Sequence, residues 1–333
     1  LREYLEAVLN QLKDFQQRQT HEWPIILSRR AQHYEIVGVG LCEPAGEAAE
    51  STEMIVASFD PYCGYQNSLG RMKSQEHCTA LLMRGVLYVI GGKVNGQASK
   101  DVRMFDIEKR RVIKKNLSMT TPRIKPCVVP VNNRIFIIGG LSNDGTLKTW
   151  ECFDISNDSF NPGESNLRSG RAGAAAVHTE ESLVVLGGFE LERGWFGKRG
   201  ANILKTIEIL IPKNRKDFPP MLQPRAFHSA SCVSQTIIVA GGGEGGHFDV
   251  EAYAFTSGRL LDGQWTNVRI ASTVDKLRYD SFLFAPTGEV IQVGTEQRQK
   301  KTDSSPRTEW SWRPLGKMFD HELYSASSCI YSS

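Results

Sequence analysis

The segment Gly241-Gly242-Gly243-Glu244-Gly245-Gly246 matches G-x-G-x-x-G, the spacing with which a backbone loop meets a pyrophosphate at a helix N-terminus. The residues that follow, His247-Phe248-Asp249-Val250-Glu251-Ala252-Tyr253, alternate as a strand does, so a dinucleotide would find no helix there. The seven histidines, at 21, 33, 77, 178, 228, 247 and 321, never fall at i, i+3 or i+4, and spacing alone brings no metal ligands together. No Gly-x-Ser-x-Gly nucleophile turn is present. What remains is cationic: Arg71, Lys73, Arg123, Lys125, Arg168, Arg171, Arg225 and Arg278 stand out in a chain whose net charge is only +3. Guanidinium groups gathered on one surface suit carboxylates and phosphates, which they grip through two parallel hydrogen bonds.

Those cations recur because the chain recurs. Leu87-Tyr88-Val89-Ile90-Gly91-Gly92 is an apolar run of strand formers closed by a glycine pair. It returns as Ile135 to Gly140, Leu183 to Gly188 and Ile237 to Gly242. The first glycines of the pairs are Gly91, Gly139, Gly187 and Gly241, two equal steps and a slightly longer third. Phe105-Asp106 and Phe153-Asp154 stand at one and the same offset from Gly92 and Gly140. Phe59-Asp60 implies an earlier unit whose glycines have decayed to Gly38-Val39-Gly40, and Val293-Gly294 closes a later one. A repeat of about 50 residues signals a propeller or solenoid, with glycines that admit close backbone approach. His77 and His228 both fall near the start of a unit, and repetition of this kind favours packing over catalysis.

The pattern resembles the kelch repeat, with Thr121-Pro122-Arg123, Gln223-Pro224-Arg225 and Gly170-Arg171 at the Pro-Arg position and Phe160 as the aromatic after Phe153. The likeness covers residues 33 to 333 and implies an all-β, six-bladed kelch β-propeller over 31–333. Loops are expected from Gly40 to Phe59 and from Phe189 to Leu204, the polar stretch Gln297–Arg307 is expected to be poorly ordered, and a last strand at 323–331 is expected to close the ring. Residues 1–20 carry apolar Leu1, Tyr4, Leu5, Val8, Leu9, Leu12 and Phe15 at helical spacing, so 1–30 is expected to be a short α-helical segment and linker. The closest likeness is to the kelch domain of BTB-BACK-kelch proteins, in which a helical BACK domain ends before the first blade. This helix, followed by Trp23-Pro24 and Arg29-Arg30, looks like that junction, and a helix that caps the propeller is the alternative.

The resemblance implies a non-enzymatic recognition module, with a ligand face built from the loops after each glycine pair and those that open each repeat. Arg71, Lys73, Arg123, Arg171, Phe189, Arg193, Trp195, Arg225, His247 and Arg278 are the expected contacts, and an acidic protein or peptide is the expected ligand. The family implies a substrate adaptor joined to a cullin through an upstream BTB-BACK region, or, alternatively, an actin-binding cytoskeletal scaffold. Some kelch-like propellers are copper-radical oxidases, and Tyr62, Cys63 and Tyr65 form the close Tyr/Cys group here; they sit in a turn away from the axis, so no cofactor, metal or catalytic residue is expected. The near balance of charge, 40 basic against 37 acidic residues, argues for neither nucleic acid nor an anionic membrane. No long apolar run is present, and seven cysteines without Cys-x-x-Cys read as buried reduced thiols of a cytoplasmic protein.

Overall fold

The structure, a computed structural model, describes residues 36–41, 53–59, 66–179, 182–193, 199–212, 217–233, 235–242, 250–268, 278–284, 289–298 and 307–317. The chain divides into two compact units, Leu1–His33 and Tyr34–Ser333. The expected N-terminal helix and the closing strand at 323–331 lie outside the described residues.

Within the second unit the described elements are strands, arranged as six successive antiparallel sheets in which strands pair in chain order, two of the sheets being interrupted by an inserted hairpin. The first sheet holds β1 (Ile36–Leu41), β2 (Glu53–Phe59) and β3 (Gln66–Lys73). The second holds β4 (Thr79–Met83) and β5 (Val86–Ile90), then, past a hairpin of β6 (Lys93–Val94) and β7 (Gln97–Ala98), β8 (Asp101–Asp106) and β9 (Arg111–Ser118). The third runs through β10 (Cys127–Val131), β11 (Arg134–Ile138), β12 (Trp150–Asp154) and β13 (Ser159–Pro162). In the fourth, β14 (Ala175–His178) and β15 (Leu183–Leu186) are followed by a second hairpin, β16 (Phe189–Arg193) with β17 (Arg199–Ile203), before β18 (Ile207–Ile211) completes the sheet. The fifth comprises β19 (Ser229–Val233), β20 (Thr236–Ala240), β21 (Val250–Thr256) and β22 (Arg259–Val268), and the sixth β23 (Arg278–Phe284), β24 (Glu289–Arg298) and β25 (Arg307–Lys317). Each sheet is one blade of a β-propeller. The first strands of successive blades, β4, β10, β14, β19 and β23, lie side by side around the axis.

This stacking explains why the repeat reads as a continuous apolar run instead of an alternating one. A blade is covered on both faces, and successive side chains of a strand point to opposite faces. Leu87 and Val89 therefore pack with Val56, Met72 and Phe105 between the first two blades. Tyr88 and Ile90 pack with Ile135, Ile137 and Phe153 between the second and third. Phe136 and Ile138 turn the other way, onto Val185 and Leu183. Ile237 and Val239 meet Val184 and Ile207 in turn. Each fully buried aliphatic side chain contributes roughly 1.5–3 kcal/mol. The outer strands supply aromatics: Phe160 stacks on Phe153 at 4.7 Å, as its sequence position leads one to expect.

Several expectations change in the structure. Within the expected loop at 189–204, Phe189–Arg193 and Arg199–Ile203 pair as the antiparallel strands β16 and β17, and β24 and β25 extend into both ends of the stretch expected to be poorly ordered. Strand β21 follows the glycine-rich segment, as the rejection of a dinucleotide site requires. Cys78, Cys127 and Cys152 are buried thiols, and Cys232 is half-buried. His77 and His228 are not equivalent. His228 is buried between blades four and five, where desolvation first, and then the charges of Arg225 and Arg171, pull its pKa down to about 3.

A histidine held neutral by the fold binds a proton more readily once unfolded, so its contribution to stability is complete above pH 6.5 and is lost as pH falls from there toward 3. Acidification to pH 4 is expected to cost about 3 kcal/mol through this group. Urea unfolding across this range should show the slope, and His228→Leu should flatten most of it.

Candidate functional site

Three of the glycine pairs are held by a buried arginine. The side chains of Arg123, Arg171 and Arg225 are 1%, 1% and 0% exposed, and each reaches the carbonyl of the first glycine of a pair, Gly139, Gly187 or Gly241. Arg123 donates through Nη1 to Gly139 O at 2.8 Å and Thr149 O at 2.8 Å, and through Nε to Glu151 Oε1 at 3.0 Å. Arg171 donates through Nη1 to Gly187 O and Thr206 O and through Nη2 to Glu208, and Arg225 donates through Nη1 to Gly241 O and through Nε and Nη2 to Glu251. The second function of each carboxylate is also repeated. Glu151, Glu208 and Glu251 accept from the backbone N–H of Thr120, Arg168 and Leu222, at 2.8 Å in each case, and so tie down the strand exit just before the arginine.

The arginine backbone carries the constraint to the preceding blade. Gly92, Gly140 and Gly188 donate N–H to the carbonyls of Arg123, Arg171 and Arg225, at 2.7, 2.9 and 2.8 Å. A Cβ at Gly139 would collide with the carbonyl oxygen of Arg171, and φ there is +60°, so two independent constraints exclude any other residue.

Blade two departs from this rule at both positions at once. Gln75, 2% exposed, replaces the arginine and donates to Gly91 O at 2.8 Å. The residue opposite Val89, where the other blades carry glutamate, is Arg103. Its guanidinium turns away to Lys73 O at 2.7 Å and Ser74 O at 3.2 Å. An arginine at 75 would face Arg103, and the neutral amide avoids that repulsion.

Above this clamp the loops join from blade to blade. The β6–β7 hairpin turns at Asn95-Gly96, both at positive φ as a type I′ turn requires. Ala98 N donates to Asn143 Oδ1 across blades two and three, and Leu191 N donates to Thr146 Oγ1 across blades three and four. Each loop after a glycine pair also pairs with the loop that opens its own repeat, through Glu76 with Lys93, Ile124 with Leu141, and Ala172 with Phe189. Nearer the axis, Lys125 N donates to His77 O, Gly173 N to Lys125 O and Phe227 N to Gly173 O. These four residues, one per blade, all lie at φ between 48° and 59°.

The expected contacts separate sharply once placed. Arg123, Arg171 and Arg225 belong to the clamp beneath the face, so their expected role as ligand contacts is corrected by their burial. Arg71 and Lys73 are exposed but lie in strand β3, not in a repeat-opening loop, and Arg71 pairs with Glu53 at 3.5 Å. Phe189 does lie on the loop face, with its ring 5.5 Å from that of Phe227. Arg193 and Arg278 are placed by backbone only, in β16 and β23, and Trp195, His247 and the Tyr62-Cys63-Tyr65 group lie outside the described residues. Arg278 precedes Gly294 by the same interval that separates Arg123 from Gly139. That constant interval was the available signal for the clamp. Among the described residues, no cluster of three His, Cys, Asp or Glu is placed to hold a metal ion, and no helix is long and apolar enough to cross a membrane.

Blades whose buried Pro-Arg and Gly-Gly positions interlock in this way define a propeller scaffold with a loop-built face. The Kelch motif family matches residues 77–112 and 122–166 of this chain, which takes in strands of the second and third blades. Protein C13 of swinepox virus (strain Kasza) is 33% identical over 93 residues, 28% of this chain and 17% of that protein. An F-box/kelch-repeat protein of Arabidopsis thaliana is 32% identical over 83 residues, 25% of this chain and 20% of its own length. The matched segments thus span a fifth or less of these relatives. The solved structure of YjhT aligns with a TM-score of 0.52 at 14% identity, over 67% of this chain and 78% of that one, a likeness of fold.

Two stability outcomes follow from the clamp. Arg123→Met, which leaves Glu151 buried without its cation, should cost about 3–5 kcal/mol in denaturant unfolding. In blade two, Gln75→Arg and Arg103→Glu should each destabilise alone, and the double variant should recover stability. A double-mutant cycle with no favourable coupling between the two positions would count against the repulsion account.

Proposed function

We propose that this chain is a protein-recognition module that captures its target on the loop face, and that it serves as the substrate-binding part of a cullin-RING ubiquitin ligase adaptor. One observation carries the reading. Loops from blades two, three and four are hydrogen-bonded into one surface through Asn143, Thr146 and Glu190, whereas the repeated geometry beneath them is sealed into the core. Loops positioned by a rigid frame are where binding groups concentrate. Kelch repeats generally act as interaction modules, and the Arabidopsis relative's name couples such repeats to an F-box, which supports a recognition unit built into a larger protein.

The test is capture of the full-length native protein from cells with the proteasome inhibited, with bound proteins read by mass spectrometry. The reading expects a cullin and at least one ubiquitin-modified protein, the latter lost with Asn143→Arg on the loop face and retained with Lys109→Glu on an exposed turn of the outer edge. Recovery of actin without a cullin, together with co-sedimentation with actin filaments, would replace the adaptor by a cytoskeletal scaffold.

A further inference from the structure

The ring of His77, Lys125, Gly173 and Phe227 sits where the loop face meets the axis. All four occupy the left-handed region, with φ of 54°, 48°, 59° and 58°. For a residue with a Cβ this conformation costs free energy that glycine does not incur. Blade four shows that the scaffold accepts glycine, since Gly173 makes the same hydrogen bonds in the same place. The scaffold therefore does not require His, Lys or Phe at the other three positions, and side chains kept against backbone strain mark a functional surface.

Their surroundings describe what they would hold. The ring of Phe227 is 54% exposed, lies over the space that Gly173 leaves open, and contacts the Phe189 ring. Lys125 Nζ stands 5.9 Å from the centre of the Phe227 ring. Partial burial lowers the pKa of His77, and the nearby charges of Lys125 and Lys93 lower it further, with Glu76 the opposing charge beside them. An apolar platform thus adjoins a cluster of cations at the axis.

We propose that this ring is the specificity site of the loop face, and that it takes an acidic protein segment whose apolar side chain rests on Phe227 and Phe189 while its carboxylates meet Lys125 and Lys93. The inference rests on the loop-face reading and adds to it which residues choose the ligand and what chemistry they choose.

A library of random twelve-residue peptides, selected on the full chain, supplies the probe. Selected peptides should be rich in Asp and Glu flanking Leu, Ile, Phe or Trp. Their affinity should fall by about tenfold or more with Lys125→Gly and with Phe227→Gly, the scale expected for loss of a charge-assisted contact. The thermal midpoint of Lys125→Gly should stay level or rise, an outcome that a purely structural lysine would not give. Lys125→Asn, which tolerates the same backbone conformation, removes the charge by a second route and should weaken binding equally. Peptides without acidic bias, no selected binder, or binders indifferent to Lys125 and Phe227 would each overturn the proposal. If binders ignore the ring but are lost with Asn143→Arg, the loop face still recognises protein and only this assignment falls.

Discussion

A guanidinium buried to 1% exposure or less must have its charge met by a carboxylate and by carbonyls, and this single requirement organises the propeller. Arg123 needs a glutamate from β12 and the carbonyls of Gly139, just after β11, and Thr149, just before β12, so it fixes both strands of its blade. The carbonyl at Gly139 is presented correctly only because the chain turns into the left-handed region there, which brings Gly140 N–H onto the backbone of Arg171 in the next blade. One buried charge therefore specifies two glycines, a glutamate and the next repeat's opening residue. The hydrophobic clusters between blades supply most of the favourable free energy, but apolar faces alone would tolerate sliding that this network forbids.

Separation of frame from face follows from the same network. Glu208 lies further along the chain from Arg171 than Glu151 does from Arg123, because the β16–β17 hairpin is inserted between them. The two arginines nonetheless reach equivalent residues, a glycine carbonyl, a threonine and a glutamate, with the glutamate met by Nε in Arg123 and by Nη2 in Arg171. A blade closed below its glycine pair can carry a short turn, as at Asn143, or a long hairpin, as at Phe189, with no change to the core. Variation in the loops is thus compatible with a constant scaffold, which is the condition a recognition surface needs.

Much of this was legible in the residues themselves. The spacing of the glycine pairs located four blades, and Phe59-Asp60 and Val293-Gly294 located two more with decayed glycines; the structure places β1 to β3 and β23 to β25 there. The roles of charged residues were not legible, because residue type says nothing about burial. An arginine at a repeat boundary suits an anionic ligand and a buried carboxylate alike, and the glutamate that Arg123 meets comes from β12, the third strand of its blade. Histidine shows how fine the distinction is. His228 is counted one place beyond His77 in the repeat, and that step moves a side chain from the rim of the axis to the core between blades.

Sequence by itself determined the repeat, its period and hence the class of fold, because close backbone approach and two-sided burial leave marks at fixed intervals that need no knowledge of the partners. Only the tertiary structure decided which cations are sealed inside and which residues share the mouth of the axis. His77, Lys125, Gly173 and Phe227 follow one another at the same intervals as Gly91, Gly139, Gly187 and Gly241, a full repeat apart in the chain each time. Closing the blades around an axis makes them neighbours, and adjacency of that kind arises from the geometry of the ring.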